Sequence, residues 1–292
     1  MAKIFRSIFG CFLEMKRMKR QIIIIIASLL LFTSCRTALH SSYPGIGRVK
    51  QYDFYSKEIP EAFNGFRIAF ASDFHYKSKF KDKALQSTVL ALQNMHPDLL
   101  LLGGDYQEGC DFVPRLFKEL SRVKAPFGTF GIMGNNDYER CYEEIIREMT
   151  HYGMKVLEHA CDTVKIGNDR LILAGIRNPF DLVRNGVSPT LPLSPDDFVV
   201  MLTHTPDYAE DVDISNTDLV LAGHTHGGQI TLGRLIVPST GSKYGKKFLS
   251  GRSETSKGIP VITTNGLGTS RMKLRLFAPS EVVLLVLHRQ NE

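Results

Sequence analysis

Two histidines separated by one residue stand among glycines at the end of an apolar run, LVLAGHTHGGQ. On a strand, His224 and His226 would point to the same face, whereas in a glycine-flanked loop their rings can diverge. The pair can therefore reach one point or two neighbouring points. Neutral imidazole is the commonest protein ligand for metals, and the flanking glycines allow close backbone approach. Because a single histidine is more often a surface or core residue than a ligand, a metal site requires further ligands elsewhere.

Polar residues follow four other apolar runs in the same way, at the point where each predicted strand ends. Those strands cover residues 67–71, 99–102, 130–133 and 198–202, and the GHTH segment follows a fifth, 218–222. The residues that follow the first four are Asp73 and His75; Asp105; Asn135, Asn136 and Asp137; and His204. Ligands of open α/β sheets bind beyond the carboxyl ends of the strands. One polar residue there is ordinarily a helix cap, but five such sets are hard to explain as capping.

The donor set consists of carboxylate, imidazole and amide groups without thiolate. This composition argues against a structural zinc site built on cysteine and suits Mn, Fe, Zn or Co. There are more donors than one tetrahedral ion needs. Two metal ions about 3.5–4 Å apart, bridged by a carboxylate, would use them all.

The elements that must position these residues alternate between strand and helix from about residue 66. Helical spacing predicts helices over residues 84–93, 113–122 and 139–149, and further strands are predicted over 170–174, 261–264 and 282–287. Strands that are apolar throughout indicate a buried, largely parallel α/β sheet. The second half contains more strand and less helix, which predicts a second sheet packed on the first.

The ordered motif set resembles that of the calcineurin-like metallophosphoesterases. It is most similar to a bacterial membrane-associated branch marked by SDFH, by GHTHGGQ and by a late NGLGTS followed by arginines, here Arg271 and Arg275. The resemblance covers roughly residues 48–288. It implies a four-layer αββα sandwich of two mixed sheets flanked by helices, with a binuclear metal site at the carboxyl ends of the strands.

The resemblance also implies a role for each residue. One divalent metal ion would be held by Asp73, His75 and His226, the other by Asn135, His204 and His224, and Asp105 would bridge them. A hydroxide held between the ions would attack phosphorus in line, with His204 and its neighbours stabilising the transition state. Arg271 and Arg275 are expected to bind the substrate.

One position departs from the family's most familiar sequence, Gly-Asn-His-Asp. Asn136 stands in place of the histidine that assists the leaving oxygen, and Asp137 would then have no histidine to orient. An amide can donate a hydrogen bond but cannot act as a general acid. The sequence therefore predicts a phosphodiesterase or pyrophosphatase that acts on good leaving groups. Two alternatives stay open, namely a lipid-linked UDP-sugar pyrophosphatase and a catalytically weak metal-binding envelope protein.

The N-terminus has the pattern of an export segment. A basic cluster at residues 16–20 precedes the apolar run Ile22–Phe32, and Cys35 follows shortly after. The run is short for a transmembrane helix, which needs about 20 residues. FTSC resembles a lipoprotein box with lipid on Cys35, and an uncleaved anchor is the alternative. Both place the catalytic domain outside the inner membrane. The predicted organisation is an export signal or anchor over 1–35, a stalk and accessory strand over 36–65, and the metallophosphoesterase domain over 66–288.

Charge and cysteine content limit the partners. Six basic residues against Glu14 before Cys35 contribute +5 of the net charge of +6, so a nucleic-acid-binding surface is not supported. A second basic cluster between Lys243 and Arg275 is opposed in sequence only by Glu254, and is either a solvated face or a platform for anionic head groups. The expected partners are a phosphate-ester substrate, lipid-linked or not, and a membrane surface, with the oligomeric state left open. The five cysteines allow at most one disulfide after loss of Cys11 and lipidation of Cys35.

Overall fold

Two six-stranded sheets form the framework of the part of the chain that the computed structural model describes, residues 45–232 and 236–290. The strands are β1 (Arg48–Ser56), β2 (Arg67–Ala71), β3 (Leu99–Leu102), β4 (Thr129–Gly131), β5 (Lys155–Val156), β6 (Ala160–Ile166), β7 (Asp169–Gly175), β8 (Phe198–Thr203), β9 (Leu219–Ala222), β10 (Gly251–Glu254), β11 (Pro260–Thr263) and β12 (Glu281–Arg289). The helices are α1 (Asp82–Asn94), α2 (Val113–Leu120), α3 (Asn135–Glu139), α4 (Tyr142–His151), α5 (Leu182–Asn185) and α6 (Asp207–Asp211). Short 3₁₀ helices cover Glu61–Phe63, Cys110–Phe112 and His226–Gly228.

Both sheets are mixed, and each has a parallel centre. The first has the order β1-β12-β2-β3-β4-β5, in which β2 to β5 are parallel and β12 is antiparallel to β2. The second has the order β10-β11-β9-β8-β7-β6, in which the four inner strands are parallel and the two edge strands antiparallel to their neighbours. The carboxyl ends of β2, β3 and β4 thus lie along one edge of the first sheet, and those of β8 and β9 along one edge of the second.

Successive apolar side chains of each central strand point to opposite faces of its sheet. In β2, Ile68 and Phe70 lie in the core between the sheets, where Leu173 and Val200 of the second sheet meet them, whereas Ala69 faces the helical layer. Helices α1, α2 and α4 cover the outer face of the first sheet, and α6 packs on the outer face of the second. Since both faces of each sheet are covered, central strands such as β3 and β8 are buried along their whole length and are apolar. This arrangement confirms the predicted four-layer αββα sandwich.

The structure differs from the predicted elements near the third strand end. The helix predicted over residues 139–149 is instead two helices, α3 and α4, separated by Arg140 in an extended conformation and by Cys141 with a φ of 69°. Cys141 forms a disulfide with Cys110, 31 residues earlier. Within the described ranges this is the one disulfide, in agreement with the prediction of at most one pair, and Cys161 is free and exposed.

The predicted export segment, residues 1–35, lies outside the described residues. In the described part of the chain, no helix is both long enough and apolar enough to cross a bilayer. The segment predicted to be an accessory strand contains β1, which pairs with β12 along its whole length.

Candidate metal centre

The polar residues at the five strand ends come together where the two sheets meet. The backbone N–H of His224, after β9, donates to both carboxylate oxygens of Asp73, after β2, at 3.1 Å. His204, after β8, places its Nδ1 2.8 Å from the carbonyl oxygen of Gly103, after β3. The backbone N–H of Asn136, after β4, donates to Asp105 at 3.0 Å. Loops that are far apart in sequence are thus fixed to one another by hydrogen bonds.

Two overlapping groups of side chains could each hold a cation. Asp73, His75 and His226 have donor atoms within 4.8 Å of one another, and so do Asp73, Asp105 and His204; all are buried. Asp105 Oδ2 lies 3.3 Å from His75 Nε2 and 3.4 Å from His204 Nε2. It therefore faces one imidazole from each of the two predicted ligand sets. The ring of His224 lies 5.1 Å from that of His204.

Most of the predicted ligands have an unusual backbone conformation. Five of the seven predicted ligands have positive φ, namely Asp73 (53°), His75 (40°), Asp105 (53°), His224 (66°) and His226 (52°). Non-glycine residues rarely adopt this conformation, and such strain concentrates at functional sites. Close packing adds a further constraint, since a Cβ on Gly134 would come within 2.1 Å of Asp105 Oδ1.

The imidazoles of His75 and His204 are fixed in one tautomer by the groups behind them. Nδ1 of His75 lies 2.6 Å from the carboxylate of Glu108, and Nδ1 of His204 faces a carbonyl. Since both partners only accept, each Nδ1 carries the proton and each Nε2 points to Asp105. Both Nε2 atoms and Oδ1 of Asn135 are buried without a hydrogen-bond partner. Unpaired buried donors and acceptors are costly, and bound cations would satisfy all three. The residues present therefore fit a metal centre.

The electrostatics of the protein groups favour cations. Burial opposes protonation of His75, but the neighbouring carboxylates of Asp105 and Glu108 outweigh it and raise its pKa to about 10. Burial likewise opposes protonation of His204, and the charge of Asp105 outweighs it and raises its pKa to about 9. The same negative potential attracts a metal ion, so metal binding here is coupled to proton release. Burial and the charge of His204 lower the pKa of His224 to about 3, which leaves a neutral imidazole suited to ligation.

Asn136 and Asp137 lie beside the centre in different environments. The Asn136 amide faces the site, with Nδ2 3.3 Å from both Asp105 Oδ2 and His75 Nδ1. Asp137 is buried and accepts the backbone N–H groups of Gly134, Asp105 and Tyr106 at 2.7–3.0 Å. Its carboxylate thus ties the loop after β3 to the loop after β4.

The two arginines predicted to bind substrate occupy different positions. Arg271 is exposed and lines a pocket that opens over the centre and is described below. Arg275 donates to the carbonyls of His226, Asn265, Gly268 and Ala278, and its Nη2 lies 3.1 Å from His226 Nδ1. Its guanidinium is thus engaged in holding the GHTH loop, which is at odds with direct substrate contact.

Several lysines of the basic cluster between Lys243 and Arg275 form salt bridges, so the positive charge of this surface is smaller than the sequence suggests. Lys243, Lys247 and Lys257 pair with Asp211, Glu210 and Asp213 respectively. These acids belong to α6 and the residues that follow it, which are distant in sequence but pack against the cluster. Within its own segment only Glu254 opposes the cluster, but in the fold these three acids oppose it as well.

Sequence reasoning missed Glu108 and Phe180. Glu108 holds His75, and the ring of Phe180 lies 5.0 Å from that of His224 at an angle of 62°. Neither belongs to a motif; the position of Glu108 three residues after Asp105 was its only indication. Glu108 lines a pocket of about 370 Å³ over the centre, whose other lining residues include Asp105, Asn135, Asn136, His224, His226 and Arg271.

Comparison with known proteins is consistent with this geometry. The model of the calcineurin-like phosphoesterase family matches residues 66–228, a range that contains all seven predicted ligands. The uncharacterized metallophosphoesterase YkuE of Bacillus subtilis (strain 168) is 30% identical over 260 residues, which cover 85% of this chain and 88% of YkuE. Phosphodiesterase YaeI of Escherichia coli (strain K12) is 33% identical over 238 residues, which cover 76% of this chain and 82% of YaeI.

Among solved structures, the protein TT1561 of Thermus thermophilus aligns with a TM-score of 0.47 and 14% identity. The alignment covers 70% of this chain and 91% of TT1561.

Proposed function

Because the chain belongs to the calcineurin-like phosphoesterase family and is a metal-dependent hydrolase, we propose that it hydrolyses phosphodiester or pyrophosphate bonds at the centre around Asp105. The observation that carries the proposal is the pair of tautomerically fixed imidazoles, His75 and His204, whose unpaired Nε2 atoms face one shared carboxylate. The name of the relative YaeI, a phosphodiesterase, supports the choice of reaction.

The proposed ligand sets are those implied by the motifs. One ion would be held by Asp73, His75 and His226 and the other by Asn135, His204 and His224, with Asp105 between them. Two divalent transition-metal ions, of Mn, Fe, Zn or Co, would supply Lewis-acid polarisation of the phosphoester and of water. We propose that Arg275 and Asp137 position the loops of the centre, since their polar atoms form hydrogen bonds within the protein. We propose that Arg271 binds the negative charge of the substrate.

The preference for diesters rests on Asn136. It lines the pocket where a leaving oxygen would need a proton, and an amide cannot supply one. Two histidines, His224 and His226, are among the described residues that line the pocket. Both are proposed metal ligands, so neither is available as a general acid. The leaving group must therefore depart with its negative charge stabilised by the site, and esters of acidic alcohols are favoured over alkyl monoesters.

A series of aryl phosphodiesters with graded leaving-group pKa, assayed with Mn²⁺, tests this proposal. We expect kcat/KM to fall steeply as the pKa of the leaving group rises. Matched aryl monoesters serve as the comparison and should be poorer substrates. A flat dependence with fast turnover would show that another residue donates the proton.

We further propose that residues 1–35 export and tether the domain. The Cys110–Cys141 disulfide supports this, because such bonds persist in oxidising compartments. Fractionation and lipid labelling of the full chain and of Cys35→Ser test it, and loss of label in the variant alone is the expected result. Topology mapping separates this proposal from the rival one, a pyrophosphatase for a cytoplasmic UDP-linked lipid, since it should place the domain outside the inner membrane. A reduced Cys110–Cys141 pair in a domain that faces the cytoplasm would refute export.

A further inference from the structure

A second pocket, of about 490 Å³, opens beside the metal centre. It shares His224, His226, Ser270 and Arg271 with the pocket over the centre. Away from these shared residues, the side chains of Ile230, Pro238 and Met272 give it an apolar wall. A phosphoester bound at the centre would therefore place one substituent against polar groups and could place the other in this apolar pocket.

Exposed apolar side chains continue from this wall onto the surface. Leu232, Ile236, Met272, Leu274 and Leu276 are 40–61% exposed, and we call these five residues the apolar rim. They come from two segments joined by backbone hydrogen bonds, since the N–H of Thr231 donates to Leu276 and the N–H of Leu276 to Gln229, both at 2.9 Å. Single exposed apolar residues need no explanation, but a contiguous group beside a pocket marks a binding surface.

Basic residues alternate with the rim. Arg271 and Lys273 are exposed and flank Met272 on either side, so that Lys273 separates Met272 from Leu274. Arg271 lies at the junction of the two pockets. A cation at the junction suits a phosphate, and the apolar wall beyond it suits a hydrocarbon chain. Alternating cationic and apolar side chains of this kind match an amphiphile with an anionic head.

From this arrangement we propose that the substrate is an amphipathic phosphodiester, whose phosphate lies at the metal centre and whose alkyl or acyl chain lies in the apolar pocket and along the rim. The proposal rests on the proposed phosphodiesterase function and specifies its substrate class. The leaving group faces the polar pocket beside Asn136, and the retained ester carries the chain.

The test uses p-nitrophenyl alkyl phosphodiesters with methyl, butyl and octyl chains, which share one leaving group. The full chain is assayed with Mn²⁺ in a fixed concentration of non-ionic detergent. We expect kcat/KM to rise with chain length, by roughly four-fold per methylene that is fully buried. Met272→Ser, at an exposed position in the pocket wall, should lower the octyl-to-methyl ratio roughly three-fold or more.

Leu90→Ser is the matched control, because Leu90 is similarly exposed but lies on α1 and lines neither pocket. Partition of the substrates into detergent affects all three proteins equally, so the difference between Met272→Ser and Leu90→Ser reports the pocket alone. Equal ratios in these two variants, or no dependence on chain length in the wild type, would overturn the substrate class while leaving diester hydrolysis intact. Failure of the proposed function itself would appear as no turnover of any ester, including the methyl ester.

Discussion

At the scale of single residues, Asn136 is the side chain that most directly limits the chemistry. Its amide contacts both Asp105 and His75 yet cannot transfer a proton. Asn136→His should therefore introduce an acid at the position of the leaving oxygen. We expect a flatter dependence on leaving-group pKa and a gain of about ten-fold or more with alkyl leaving groups. Asn136→Gln, which retains the amide, is the control, and the same steep dependence in all three proteins would contradict this role.

That the predicted ligands lie close together could be predicted from the sequence, because each follows an apolar strand within a short motif. Glu108, Phe180 and the bracing role of Arg275 could not. The contact of Arg275 with His226 joins residues 49 positions apart, and it depends on the turn that returns the chain from Ser270 to Ala278. Residue type alone made Arg275 a candidate for phosphate binding, and only the packing shows that its donors are already used.

At the scale of elements, the Cys110–Cys141 disulfide fixes two loops of the centre. It joins the segment just after Glu108 to the start of α4, just after the loop that contains Asn135 and Asn136. The Cys110→Ser/Cys141→Ser variant should lose up to about 4 kcal/mol of stability by the chain-entropy argument. It should also lose activity, because Glu108 would hold His75 less firmly.

Chemical denaturation and turnover with and without a thiol reductant measure both effects. Cys161→Ser is the control, since Cys161 is free and exposed, and it should behave as wild type. Reductant should slow the wild type and leave the double variant unchanged. A double variant as active and stable as wild type would show that the loops hold their positions without the bond.

Sequence patterns predicted the central strands of both sheets, because strands buried on both faces are apolar without interruption, as in Leu99–Leu102. The edge strands β6 and β10 lack this property: ACDTVKI and GRSE are largely exposed and contain charged residues. The break between α3 and α4 could not be predicted from the sequence either, since helical periodicity carries no information about a disulfide partner 31 residues away.

At the scale of the whole molecule, the predicted metal ligands lie at the carboxyl ends of the parallel strands, and the starts of these strands lie at the opposite end. Asp218, at the start of β9, accepts the backbone N–H of Val199 at 2.7 Å. Burial, together with the charges of Glu58 and Asp197, raises its pKa to about 6 from 3.8. The folded state therefore holds this proton more tightly than the unfolded state, and stability is lost as the pH rises from about 4 to 6.

Asp218→Asn should remove this loss while its amide oxygen still accepts from Val199. We expect the variant to be more stable than wild type above pH 6, by an amount on the order of 1 kcal/mol, and equal to it near pH 4. Urea denaturation between pH 4 and 8 measures the difference. A difference between the two proteins that does not change with pH would contradict the raised pKa.

The central claim, that Asp105 holds two metal ions between the two sheets, is tested most directly by the metal content of purified protein. Elemental analysis of the wild type should give two transition-metal ions per chain. Asp105→Asn should lose most of this metal and at least about 99% of turnover, because the carboxylate faces both ligand sets. Asp218→Asn, a matched substitution at the opposite end of the strands, should keep both ions. Two ions retained in Asp105→Asn, or a wild type that binds none, would contradict the account.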